Sequence, residues 1–229
     1  MAADPMDLVD KAIADIEARL GLLPGQSIDT NKNNNKKQNN NKKNAKKQQS
    51  KPGAPPPDQQ PDICKLEFKV GVITKVWNHP EADKLYCEEI DVGEESVRQI
   101  ASGLRPYMTT DDMLGARLLV VSNLKAKNLV RFKSHGMVLC CKETSEDGTE
   151  RCEFVQPPEG ALIGEVVTFE GLPKPHPLSG AQVEKKKVWV TCAQNMKSNG
   201  SCVATWNGHA FMTSAGPCKT KTIKNAQLS

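Results

Sequence analysis

The feature that most constrains this 229-residue chain is a stretch with nothing to bury. From Asn31 to Ser50 only Asn, Lys, Gln, Ala and Ser occur. No apolar side chain there exceeds alanine, so the stretch cannot offset the entropy of folding and is expected to be disordered. Pro52 to Pro61 follows as a stiffer, proline-rich spacer. Residues 29–61 therefore read as a linker, and a packed domain is expected to begin near Pro61.

Residues 1–28 carry a helical pattern over 4–23. Asp4 suits the cap and Pro5 the first helical position. Val9, Ala12, Ile13, Ile16 and Leu20 form a stripe at helical spacing, and Gly21 and Pro24 stop it. A lone helix of about 16 residues is marginal in water, so the stripe calls for a packing surface. Docking on the protein's own body, contact with a partner helix and a frayed tail all remain open readings.

Charge is unevenly spread. Residues 1–30 are net −4, 31–61 net +7, 62–170 net −6 and 171–229 net +7, which leaves +4 overall. Basic segments on both sides of an acidic middle suggest an anionic partner, nucleic acid first; solvated lysines that keep the chain soluble are the plainer reading. No run approaches the roughly 18 apolar residues of a membrane helix. Met1 to Asp10 holds three aspartates and no lysine, unlike a secretory signal. Eight cysteines without Cys-x-x-Cys spacing, two of them adjacent at Cys140 and Cys141, fit buried thiols in a reduced cytoplasmic protein. Only ten residues are aromatic, which argues against binding by many stacked rings.

Residues 62–229 read as mainly β. Strands are expected at 66–77, 84–92, 96–102, 117–124, 137–142 and 151–155, with a short helix over 109–114 capped by Thr109 or Thr110. Asn78-His79-Pro80 and Glu146-Asp147-Gly148 mark turns. Short strands with one helix between the third and fourth match a five-stranded Greek-key barrel of the oligonucleotide-binding kind, one of several small all-β options. The barrel is assigned to 62–170. A small appended β-rich unit is expected over 171–229, with strand candidates at 188–192, 201–206 and 209–213 and a hairpin at Asn207-Gly208.

The middle segment carries a signature. Phe68-Lys69-Val70-Gly71, His79 to Tyr86, Ile90-Asp91-Val92-Gly93, Ser102-Gly103-Leu104, Asn123-Leu124-Lys125 and Lys133-Ser134-His135-Gly136-Met137 follow in order. In these stretches the chain resembles the tRNA-binding domain family, found free-standing and fused to aminoacyl-tRNA synthetases. Pro157-Pro158, Gly164-Glu165, Lys185 to Trp189 and Asn225-Ala226-Gln227 extend the likeness to the long branch, which includes endothelial monocyte-activating polypeptide and the eukaryotic synthetase cofactors. Three positions depart from the family pattern: Ala126 stands for a proline, Val130 for an arginine and Arg131 for a glycine. His135 stands where the family usually has Gln or Asn.

The resemblance implies a binding protein without catalysis. It would present tRNA to an aminoacyl-tRNA synthetase held by the N-terminal helix or the barrel, and would use no cofactor, metal, membrane or small-molecule substrate. The rival reading is an assembly or signalling factor in which RNA binding is secondary. Lys69, Lys75, Lys84, Arg98, Arg117, Lys125, Lys127, Arg131 and Lys133 lie on or near expected strands and are the candidate RNA contacts, with Asn123, Ser134, His135 and Met137 added from the family stretches. Contacts of this kind read phosphate and shape more than base sequence. Trp77, Tyr86 and Phe132 are the candidate stacking rings. His79 next to Pro80 reads as a structural turn rather than half of a catalytic pair. Ser134 sits in no nucleophile elbow, and His135 has no second ligand nearby.

Overall fold

A computed structural model describes residues 59–229. The helix expected over 4–23 and the linker as far as residue 58 lie outside the described residues. A single 3₁₀ turn, Asp62–Lys65, leads into β1 (Phe68–Asn78), β2 (Tyr86–Asp91), β3 (Arg98–Ser102), the short helix α1 (Thr110–Met113) and β4 (Arg117–Val121). A small hairpin, β5 (Lys127–Leu129) and β6 (Phe132–Ser134), precedes β7 (Met137–Val138), β8 (Cys140–Thr144) and β9 (Glu150–Phe154). The remaining elements are β10 (Thr168–Phe169), α2 (Gly180–Lys185), α3 (Val188–Ala193), β11 (Met196–Ser198), β12 (Ala204–Trp206), β13 (His209–Thr213), β14 (Gly216–Pro217) and β15 (Gln227–Leu228).

The first sheet runs β3-β2-β1-β4-β7, with every neighbouring pair antiparallel. A register break between Ile73 and Lys75 bends β1, so one long strand serves two walls. The sheet curls until β3 meets the β6–β7 segment. There the His135 amide donates to the Gln99 carbonyl at 2.8 Å, and the Ala101 amide to Ser134 Oγ at 3.1 Å. The result is a nearly closed five-stranded barrel in Greek-key order, as the strand pattern anticipates. Helix α1 has the expected cap: Thr109 Oγ1 accepts from the Asp112 amide, and the Asp112 carboxylate accepts from the Thr109 amide.

The second sheet runs β10-β13-β12-β11-β15-β8-β9. Strands β8 and β9 thus sit between the barrel and the C-terminal strands. The side-chain period of two explains how one wall serves both. Leu118, Val120, Val138 and Cys140 face the barrel interior with Ile73, Ile90 and Ile100. Leu119, Val121, Leu139 and Cys141, their immediate neighbours, face a second core shared with the C-terminal unit. An aromatic trio anchors that second core. Phe68, Phe169 and Phe211 meet edge to face, with centroids 4.9 to 6.0 Å apart.

Two motif glycines have a single explanation. Gly93 and Gly164 cross so closely that a Cβ on Gly93 would lie 2.7 Å from Gly164 Cα, and both have positive φ, +69° and +83°. The hairpin at Asn207-Gly208 forms as expected, with φ of 50° and 87° between β12 and β13. The strand expected over 188–192 is instead helix α3. Val188 and Cys192, four residues apart, both pack into the core beside Ile63 and Cys64 of the 3₁₀ turn. Burial at helical spacing overrides the strand preference of Val188, Val190 and Thr191.

Candidate nucleic-acid interface

Several of the candidate residues turn out to build the frame. Arg98 on β3 donates through Nη1 to the Ser122 carbonyl at 2.5 Å and the His135 carbonyl at 2.9 Å, which pins the closing edge of the barrel. Its Nε and Nη2 grip both oxygens of Glu94 at 2.8 and 2.7 Å. Lys69 Nζ lies 2.7 Å from the same carboxylate. The Arg98 hydrogen bonds, helped by Lys69, hold the Glu94 carboxyl down at about 2. Arg117 donates to the Glu159 and Ala161 carbonyls. Asn123 uses its whole carboxamide: Oδ1 accepts from the Glu67 amide at 2.9 Å, and Nδ2 donates to Lys65 and Leu178 carbonyls at 2.9 and 3.0 Å. Ser134 is buried between the Ala101 amide and the Gly136 carbonyl.

Others face water. Lys75, Lys84, Lys125, Lys127, Arg131, Lys133 and His135 are all exposed. Lys75 lies over the Trp77 ring at 5.0 Å and 3.6 Å from Glu89. Lys125 pairs with Glu184 at 2.7 Å, and Arg131 with Glu81 at 3.2 Å. Exposed pairs of this kind contribute about 0–1 kcal/mol, so an arriving phosphate can displace the carboxylate. The β5–β6 hairpin carries three of these cations, Lys127, Arg131 and Lys133, and Lys125 lies two residues before it. Its register sets Lys127 opposite Ser134 and Lys133 opposite Asn128, so Lys127 and Lys133 point to opposite faces. The connecting residues Val130 and Arg131 have φ of 46° and 67°. A two-residue turn of this hand explains why a glycine suits position 131.

Two grooves flank this hairpin. One, of about 540 Å³, is lined by Glu94, Val97, Arg98, Gln99 and His135 among others. The second, of about 340 Å³, lies between the hairpin and helices α2 and α3, and Met137 reaches it half-buried. Of the three candidate rings, Tyr86 is inside the barrel with its hydroxyl donating to the Met108 carbonyl at 3.0 Å, so it is closed to a nucleobase. Trp77 and Phe132 are half-buried and meet edge to face at 6.1 Å. His79 is buried, and its Nδ1 accepts from the Glu81 amide at 3.1 Å within the turn expected at His79-Pro80. Lys187 and Trp189 in the second groove were not among the sequence candidates. Their signal in the sequence was the family-like run Lys185 to Trp189, whose lysines read equally well as solvated charge or as a phosphate contact. Among the described residues no group of three or more His, Cys, Asp or Glu is placed to hold a metal ion, and no helix is long and apolar enough to cross a membrane.

Barrel, helix position and a hairpin of exposed cations together define a Greek-key barrel of the oligonucleotide-binding class with a C-terminal β extension. Residues 68–166 match the family described as "Putative tRNA binding domain". The chain is 38% identical over 172 residues to "Methionine--tRNA ligase, cytoplasmic" of Arabidopsis thaliana, covering 75% of this chain and 21% of that protein. It is 33% identical over 174 residues to "Aminoacyl tRNA synthase complex-interacting multifunctional protein 1" of Cricetulus griseus, covering 75% of this chain and 46% of that protein. Among solved structures, the C-terminal domain of Plasmodium vivax p43 superposes with a TM-score of 0.66 at 33% identity, covering 73% of this chain and 98% of that one. The chain belongs to the tRNA-binding domain family, on the branch with the long C-terminal extension. It spans from a fifth to just over half of the length of the curated relatives it matches.

Proposed function

We propose that the chain binds tRNA without catalysing a reaction on it and presents it to an aminoacyl-tRNA synthetase in the cytoplasm. The observation that carries this reading is the cluster of exposed cations on and beside the β5–β6 hairpin, Lys125, Lys127, Arg131 and Lys133, on a barrel of the tRNA-binding family. Lys69, Arg98, Arg117 and Asn123 act in this reading as struts that hold the rim in place. The similarity to a protein named for its place in a synthetase complex supports the synthetase partner. Presentation works by effective concentration: a tRNA held next to the synthetase re-encounters its active site more often, with no new catalytic contact. The N-terminal segment 1–28 is the proposed handle for the synthetase.

The test has two parts. Lys125→Glu with Lys133→Glu should weaken tRNA binding by about 1–3 kcal/mol while the unfolding midpoint stays in place, since both side chains are exposed. Added to a synthetase at limiting tRNA, the full chain should raise the rate of aminoacylation, and a chain lacking residues 1–28 should not. Unchanged tRNA affinity in the folded double variant would remove these lysines from the interface. Synthetase binding without tRNA binding would favour the assembly-factor reading.

A further inference from the structure

The second groove combines an apolar floor with a basic rim. Its floor is apolar: Leu124 and Leu129 from the barrel side, Met137 at its edge, and Val183, Trp189 and Val190 from the helices. Its rim holds Lys125, Lys127 and Lys187 against one carboxylate, Glu184. Val190 is left 57% exposed there. The walls come from two parts of the chain, and their spacing is rigid. A Cβ at Gly180 would lie 3.0 Å from the Lys125 amide nitrogen, so α2 begins in backbone contact with the Asn123–Lys125 segment. Asn123 ties the same segment to Leu178 and Lys65.

The geometry points to a binding site for one unpaired nucleotide of the bound RNA, with its base on the apolar floor against Trp189 and its phosphates on Lys125, Lys127 and Lys187. The inference rests on the tRNA-binding reading above and adds to it a specific recognition element. A volume of about 340 Å³ lies within the roughly 300–1,000 Å³ of small-ligand sites. An unstacked nucleotide combines a flat apolar face with fixed negative charge, which is the complement of this groove. A base-paired nucleotide presents no free face, so the groove would separate RNA with unpaired positions from uniform duplex. An apolar peptide would bring no negative charge to a rim where three lysines face a single carboxylate, Glu184.

Fluorescence of Trp189 tests this directly. With Trp77→Phe and Trp206→Phe in the full chain, Trp189 is the remaining tryptophan. The probes are a tRNA, a four-nucleotide unstructured RNA, a blunt RNA duplex and an acidic peptide. The tRNA and the short single strand should quench Trp189; the duplex should bind through the lysines without quenching. Val190→Glu puts a carboxylate at an exposed position, where folding is little affected, and should weaken tRNA binding about tenfold and duplex binding less, since the duplex loses only attraction to the lysines and not a seated base. Trp189→Leu should do the same if it folds. Binding of tRNA with no change in Trp189 emission and no effect of Val190→Glu would overturn the nucleotide site and leave the wider tRNA reading intact. Quenching by the acidic peptide alone would make the groove a protein site and overturn the inference. Failure to bind any RNA would overturn both readings.

Discussion

Glu88 is the most testable group in the barrel wall. It lies on β2 between Tyr86 and Ile90, faces the barrel interior and is fully buried. Ser102 Oγ donates to one carboxyl oxygen, and the other has no hydrogen-bond partner. Burial pushes this carboxyl from an ordinary 4.5 up to about 8, and the Ser102 bond only partly opposes it. At about 1.4 kcal/mol per tenfold change, ionising it inside the barrel costs about 5 kcal/mol. The folded chain holds this proton more tightly than the unfolded chain does. Stability is therefore full below about pH 4.5, declines as pH rises, and the loss is complete above about pH 8. Glu88→Gln keeps the shape and an acceptor for Ser102 but cannot ionise. Its unfolding free energy from urea titration should match the wild type at pH 5. By pH 9 it should exceed the wild type by several kcal/mol, about 5 at most. Titrations common to both proteins cancel in that difference. Burial pushes up the Cys87 thiol, and a hydrogen bond with Cys152 together with burial pushes up that of Cys140, with the Glu88 charge adding less to each. A difference between the two proteins that does not vary from pH 5 to pH 9 would refute the argument.

Arg131→Gly should stabilise the β5–β6 hairpin by about 1 kcal/mol, because a non-glycine residue at φ 67° is strained and its exposed pair with Glu81 contributes little; thermal unfolding shows it as a rise in midpoint. Alkylation of denatured, unreduced protein should label all eight cysteines, which are free and buried in the structure; consistent labelling of six or fewer would contradict this. Deleting residues 1–61 removes nine lysines, eight of them in the linker. With about half of them engaged at once, log affinity for tRNA against log salt should flatten by about 3, at about 0.7 to 0.9 per phosphate. Equal slopes for the full chain and the 62–229 fragment would exclude the tail from RNA binding.

Much of the architecture was legible in the sequence because local rules and tertiary packing agree there. Asn207-Gly208 supplies the two positive φ values a tight hairpin needs. Thr109 caps α1 because its hydroxyl reaches the free amide of Asp112. The run Asn123-Leu124-Lys125 lies just before the β5–β6 hairpin, where Asn123 bonds to the frame and Lys125 faces water. The candidate site was legible only as a set of residue types. A lysine or arginine in a strand reads the same whether it meets solvent or a carbonyl. Only the fold shows that Arg98 closes the barrel edge while Lys133 stays free of the frame.

The sequence by itself determined that a packed β domain follows a linker and that its barrel belongs to a known family. Those properties reside in composition, spacing and local turn chemistry. Tertiary structure decided the rest. Val188 to Ala193 coils into a helix because burial beside the 3₁₀ turn rewards a four-residue repeat. Cys140 and Cys141 enter different cores because a second sheet covers the outer face of the barrel wall. The groove around Trp189 exists because α2 lies in backbone contact with a segment 55 residues earlier, where Asn123 bonds to Leu178. Contacts between distant segments depend on how two packed faces fit together, and that fit is not written in any local pattern.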